Sequence, residues 1–210
     1  MIKRKRIWFA IGAVLLLALI VWVIWADTAL EINRYTISSP RLPESFDGFR
    51  IAHLSDIHNA ENADLLPLLR QTQPDIIVIT GDFIDSSDTR VDIALAFARE
   101  AMGIAPCYYV TGNHEARIPV EYQQLKAGME AAGVIVLENA KTRISLEGQA
   151  ITVIGVDDPS YETEYPIGNS VGVIRKHLDM LQSDGDGFTL LLSHRPELFE
   201  TYVDCGMDLT

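Results

Sequence analysis

Hydrophobic residues along this chain follow three rhythms, and each predicts a different kind of element. Residues 7–26 are twenty consecutive uncharged positions rich in Leu, Ile, Val and Trp. A run of that length can cross a bilayer as a helix, so it predicts a transmembrane segment over 7–26. Further on, short unbroken apolar runs alternate with stretches of helical spacing. Asp75–Thr80, Cys107–Thr111 and Phe188–Ser193 read as strands buried on both faces, as in a parallel sheet. Between them, Ala63–Gln73, Thr89–Met102, Val120–Ala132 and Val171–Gln182 read as helices, and Pro196 opens one more. Val134–Leu137, Thr142–Leu146 and Ala150–Val156 crowd together as strands, the last two joined through Glu147-Gly148 as a hairpin. Thr28–Phe49, with Pro40, Pro43 and Asp47-Gly48, reads as a spacer with an edge strand near Glu31–Ile37. Strands alternating with helices predict an α/β layered fold.

Charge changes the picture at both ends. The chain carries 17 Lys and Arg against 29 Asp and Glu, and four of the basic residues sit in Lys3-Arg4-Lys5-Arg6. That cluster precedes the apolar run, which predicts a cytoplasmic N-terminus and a tethered domain on the other side of the cell (inner) membrane. Trp8, Trp22 and Trp25 suit the two interfaces. The strongly acidic remainder predicts no nucleic-acid-binding surface. Only Cys107 and Cys205 are present, both in apolar stretches, which predicts buried free thiols.

The chemistry lies where the strands stop. Ile51-Ala-His-Leu-Ser-Asp-Ile-His58 reads as a strand ending in Asp56-x-His58, and in an extended backbone those two side chains face one way. The next strands end at Gly81-Asp82, at Gly112-Asn113-His114-Glu115 and at Ser193-His194. Each dipeptide alone is an ordinary turn. Together they are four polar clusters at the carboxyl ends of strands, where α/β sheets bind ligands. A carboxylate can bridge two cations, which suits Asp82. Asp56 and His58 suit one metal, the Asn113 amide and the His194 imidazole the second, and His114 a proton donor to a leaving alkoxide. Two such ions clamp a phosphoryl oxygen and lower the pKa of a bridging water, so the expected reaction is attack of a metal-bridging hydroxide.

Asp56-x-His58, Gly81-Asp82, Gly112-Asn113-His114-Glu115 and His194 resemble the signature of the calcineurin-like metallophosphoesterase superfamily. With the N-terminal span, His53-Leu-Ser-Asp-Ile-His58 and Val110-Thr-Gly-Asn-His-Glu115 resemble a bacterial membrane-associated branch of it. The resemblance implies a four-layer αββα sandwich, two divalent metal ions of manganese, iron or zinc type, and hydrolysis of a phosphomonoester or phosphodiester. It implies Asp56, His58 and Asp82 at one metal, Asp82, Asn113 and His194 at the other, and His114 at the leaving group. It also implies a Gly-His-x-His element after Met207-Asp-Leu-Thr210. Without that element each metal lacks one imidazole and the domain is C-terminally incomplete, so a longer protein is expected. The organisation expected is a basic flank at 1–6, the span at 7–26, a linker at 27–49 and the phosphoesterase domain from 50 to 210. The anchor points to a lipid-linked or envelope phosphoester as substrate and to no protein partner. The competing reading is a non-catalytic, membrane-tethered binding protein that keeps the fold. A nucleotide-binding domain is disfavoured because no Gly-rich phosphate loop follows the first strand.

Overall fold

The computed structural model describes the chain except residues 1, 29, 60–63, 164–168, 183–184 and 186, and except the side chains of 2–6 and 24–28. The chain divides into two compact units, Met1–Tyr35 and Thr36–Thr210. The first is the helix α1 (Ile2–Thr28), longer at both ends than the apolar run. Its described side chains, 7–23, are exposed. Among the described residues no helix is long and apolar enough to cross a membrane. The expected helix is therefore observed, and the crossing is not. No strand forms at Glu31–Ile37; the backbone there is irregular.

The second unit contains two sheets. In the first, β1 (Ile51–Leu54), β2 (Ile76–Thr80), β3 (Cys107–Val110) and β4 (Ile135–Val136) run parallel in that order. In the second, β5 (Ala140–Leu146) pairs antiparallel with β6 (Gln149–Gly155), which pairs parallel with β7 (Thr189–Leu192). The β5–β6 connection is the expected Glu147-Gly148 turn, both residues at positive φ. The helices are α2 (Leu65–Thr72), α3 (Val91–Met102), α4 (Asn113–Arg117), α5 (Pro119–Ala131), α6 (Ser170–Leu181) and α7 (Phe199–Asp204).

Period-two alternation explains the layers. On β2 and β3, Ile77, Ile79, Cys107 and Tyr109 pack with Leu69 of α2, Ala98 of α3 and Leu125 of α5. The intervening Ile76, Val78, Tyr108 and Val110 pack against Val153, Leu190 and Leu192 of the second sheet. That sheet's far face sets Ile154 and Leu191 against Ile174 and Leu178 of α6 and Tyr202 of α7. The order is helices, sheet, sheet, helices. Both cysteines are buried and free. The C-terminal segment forms a single bridge, Leu209 to Leu190, instead of a strand.

This topology corrects one expectation. The four polar clusters do not share one sheet edge: three follow β1, β2 and β3, whereas His194 follows β7 in the other sheet. The site straddles the carboxyl ends of both.

Candidate metal centre

The backbone reaches the site in a conformation that local sequence rules disfavour. β1 stops at Leu54, and Asp56, His58 and Asn59 all lie at positive φ, between 48° and 57°. Asp56 and His58 are therefore not presented by an extended strand. They are presented by a left-handed turn that keeps pairing with the exit of β2. The N–H groups of Asp56, His58 and Asn59 donate to the carbonyls of Gly81 (3.2 Å), Asp82 (3.0 Å) and Phe83 (3.1 Å). Asp82 is itself left-handed, with φ 47°. A single αL residue outside glycine is uncommon, and clusters of them persist where surrounding contacts over-determine the backbone.

Those contacts come partly from one buried residue, Glu115, whose exposure is 0%. Its Oε1 accepts from the N–H of Phe83 (2.8 Å) and Ile84 (3.2 Å), and its Oε2 from the N–H of Asp82 (3.0 Å) and Gly112 (2.8 Å). One carboxylate thus binds the loops after β2 and β3 together. Burial raises its pKa above the ordinary carboxylate value, against the lowering effect of the Gly112 and Ile84 hydrogen bonds. The sequence reading assigned Glu115 no role. Its signal was a Glu three residues past a glycine that opens a helix, the N-terminal pattern of a capping box. The same stretch, expected as a turn, is the start of α4. Asn113 is its first residue and half-buried.

Around Asp82 the side chains converge. Its carboxylate is 5% exposed, and Oδ2 lies 3.4 Å from His194 Nε2, 3.8 Å from His58 Nε2 and 3.9 Å from His114 Nε2. Oδ1 accepts from the His114 N–H at 2.8 Å. Asp56 Oδ1 lies 3.7 Å from His58 Nε2. Two overlapping groups able to hold a cation share Asp82: Asp56, Asp82 and His194, and His58, Asp82 and His114. Burial opposes the charge on Asp82, but the His194 hydrogen bond and the His114 N–H outweigh it and lower its pKa. Burial likewise opposes charge on His194, yet Asp82 and the Thr80 carbonyl raise it to about 9. This is the balance expected of an anionic carboxylate facing imidazoles at one point, and a divalent cation satisfies it equally well. The donor set of carboxylate and imidazole suits zinc, iron or manganese.

The ring nitrogens away from Asp82 are held differently. His194 Nδ1 donates to the Thr80 carbonyl (2.8 Å). His114 Nδ1 accepts from the Ser86 N–H (3.0 Å), which leaves Nε2 facing Asp82 at 3.9 Å. His58 Nδ1 is buried with no hydrogen-bond partner among the described residues, and Asp85 Oδ2 stands 4.0 Å away. Asp85 Oδ1 also lies 3.6 Å from His114 Nδ1. Sequence reasoning missed Asp85, whose signal was the Asp-x-x-Asp spacing from Asp82. Of the loop Asp157–Ser170, residues 164–168 lie outside those described. Half-buried Asp157 and buried Asp158, which follow β6, are both hydrogen-bonded to the hydroxyl of Thr111, which follows β3.

A family model described as calcineurin-like phosphoesterase matches residues 49–208. The metallophosphoesterase YkuE of Bacillus subtilis (strain 168) is 32% identical over 196 residues, covering 86% of this chain and 62% of that protein. A "Transmembrane protein with metallophosphoesterase domain" of Bos taurus is 29% identical over 168 residues, covering 74% of this chain and 37% of its own length. The chain thus spans less than two thirds of either relative. Among solved structures, TT1561 of Thermus thermophilus aligns with a TM-score of 0.54 at 19% identity, over 76% of this chain and 79% of that one, a likeness of fold.

Proposed function

We propose that the chain, which belongs to the calcineurin-like phosphoesterase family, hydrolyses phosphomonoesters or phosphodiesters at a centre of two divalent cations. Asp56, His58 and Asp82 would hold one ion and Asp82, Asn113 and His194 the other. That division of ligands follows the family pattern, whereas the geometry groups His194 with Asp56 and His58 with His114. The observation that carries this reading is Asp82 Oδ2, which meets imidazoles from three separate elements within 3.4–3.9 Å. Two bound cations would supply charge to the phosphoryl group and activate water for attack. The residues supply the rest. Asp82 shares its charge across the centre, Glu115 fixes the two loops that deliver Asp82 and Asn113, and His114 holds a proton at Nε2 on the side facing Asp82.

The domain is anchored to the cell membrane by the N-terminal helix, with the basic flank in the cytoplasm. The uncharged run 7–26 and the exposure of its described side chains support that placement. The substrate is then a phosphoester of the envelope or a lipid headgroup.

A panel of phosphomonoesters, phosphodiesters and pyrophosphates, assayed with manganese on the complete protein, tests the reaction. At least one class is expected to turn over, and Asp82→Asn to lower its rate at least about 100-fold, since the shared charge is lost. A full-rate Asp82→Asn enzyme sinks the mechanism. Two ions bound with no turnover across the panel would favour the non-catalytic reading.

A further inference from the structure

Asn113 and His194, the two ligands assigned above to the second ion together with Asp82, follow strands of different sheets, so something must set the distance between them. We propose that the buried ion pair Asp158–Arg195 is the positioning element that holds His194 against Asp82, and so governs the affinity of the second cation alone; this rests on the binuclear reading above.

The path can be followed atom by atom. Arg195 directly follows His194 and donates through Nε (2.5 Å) and Nη2 (2.9 Å) to the two oxygens of Asp158. The Asp158 carboxylate is fully buried and the Arg195 side chain is 15% exposed. A bidentate guanidinium–carboxylate pair fixes orientation as well as distance. Asp158 is in turn tied to the first sheet, because its N–H donates to Thr111 Oγ1 at 3.2 Å. Thr111 is 0% exposed and immediately precedes Gly112 and Asn113. Its own hydroxyl donates to Asp157 Oδ1 at 2.8 Å. On the other flank of His194, the Tyr202 hydroxyl donates to the Arg195 carbonyl (2.7 Å) and sits 2.8 Å from Ser193 Oγ. Both neighbours of His194 are thereby pinned, and the chain of contacts runs Asn113–Gly112–Thr111–Asp158–Arg195–His194. Asp56 and His58 are held by other contacts. Their backbone is hydrogen-bonded to residues 81 and 82, Ser55 Oγ donates to Asp56 Oδ2 (2.5 Å) and stands 3.2 Å from the Thr80 carbonyl, and the Asn59 amide donates to the Asp88 carbonyl. The Asp158–Arg195 pair touches neither of them.

Surface ion pairs contribute little, but removing one partner of a buried pair leaves a desolvated charge that must find solvent. Asp158→Asn removes the buried, bidentate partner of the Arg195 guanidinium and leaves Glu197, 44% exposed and 3.6 Å from Nη1, to draw the side chain outward. Arg195 then moves, and the backbone of His194 moves with it. Residues that orient a ligand in this way typically change metal affinity tenfold to 100-fold when substituted.

Manganese titration of the full chain, read by calorimetry and by electron paramagnetic resonance of the free ion, tests this without reference to turnover. The parent is expected to take up two ions. Asp158→Asn is expected to bind one ion within about twofold of the parent and the other tenfold to 100-fold more weakly. Arg195→Lys keeps the charge but loses the fork, and is expected to show the same selective loss in milder form. In a His194→Ala background, Asp158→Asn is expected to change the remaining ion's affinity less than about twofold, because the two substitutions act on one ligand. A merely structural role would instead lower the thermal midpoint and leave both affinities together. If Asp158→Asn does not fold, Arg195→Lys decides alone. Two ions bound by the variants at unchanged affinities, or both weakened equally, overturns the inference while the binuclear reading stands. A parent that binds fewer than two ions overturns that reading, and this inference with it.

Discussion

Three imidazoles face Asp82 Oδ2, and for two of them, His194 and His114, the hydrogen bond on the opposite nitrogen sets a task. In neutral imidazole one nitrogen carries a proton and the other a lone pair. His194 gives its Nδ1 proton to the Thr80 carbonyl, so Nε2 is the nitrogen that faces Asp82, and it would ligate a cation through its lone pair by giving up the proton that Asp82 otherwise stabilises. His114 is the reverse: Nδ1 accepts from the Ser86 N–H, so the proton sits on Nε2, toward the centre. A ring held so does not ligate through Nε2, and donates there instead. His114→Gln is accordingly expected to lower kcat by about 100-fold to 10,000-fold for esters of poorly acidic alcohols. The loss should shrink for esters of acidic phenols, whose leaving group needs no proton, with manganese affinity nearly unchanged. A steady-state comparison across leaving groups checks this, and an equal loss for all of them would remove the donor role. At this scale the sequence was enough to pick out side chains that come together, since Asp56, His58, Asp82, His114 and His194 converge, while Asn113 stands half-buried at the start of α4. It could not show tautomers, or the left-handed backbone of Asp56 and His58, because both depend on partners distant in the chain: Gly81 and Asp82 for the backbone, Ser86 for His114, and Thr80, 114 positions away, for His194.

Among elements, the decisive contacts are between loops. A Cβ on Gly112 would lie 2.3 Å from both the backbone nitrogen and Oδ1 of Asp82, and one on Gly81 would lie 2.6 Å from the Gly112 backbone. The loops after β2 and β3 therefore touch main chain to main chain, and Glu115 can reach the N–H groups of both. Gly112→Ala forces them apart. It is expected to destabilise the domain by about 1–3 kcal/mol, as overpacking does, and to weaken the ions on both sides of Asp82. Gly81→Ala is expected to be worse, because Gly81 also sits at φ 82°. Urea denaturation and manganese titration of the two variants check the order; an unperturbed Gly112→Ala would mean the loops have slack. Most strands were legible because apolar runs such as Ile76–Thr80 have no other use. The helix α4 was not, because Gly112-Asn113 is equally good turn chemistry. That β7 leaves the first sheet was not legible either, since two-sided burial looks the same in either sheet.

For the whole molecule, the acidic phosphoesterase domain and the uncharged, apolar run at 7–26 differ sharply in composition. The helix Ile2–Thr28 is 27 residues long, roughly 40 Å at 1.5 Å per residue, against about 30 Å of hydrocarbon in a bilayer. Trp8 and Phe9 are 65% and 80% exposed, and Leu15 and Trp22 are 64% and 60% exposed. Contiguous apolar surface on that scale calls for lipid or for another apolar surface. Lipid is the occupant proposed above, because residues 7–26 offer no charge and the described side chains, 7–23, are exposed all round the helix, with no polar face that would favour an interfacial pose. The chain is therefore expected to remain with membranes through an alkaline carbonate wash. Leu15→Lys together with Leu19→Lys, at roughly 2.5–3.5 kcal/mol for each charge near the bilayer centre, is expected to shift it to the supernatant. Protease added outside spheroplasts should then remove the domain from Thr36 onward in the parent, as an N-terminus held in the cytoplasm by Lys3–Arg6 requires. A parent chain released by carbonate, or a domain protected until the membrane is opened, would overturn the anchor or its orientation, and with either the case for an envelope or lipid-linked phosphoester.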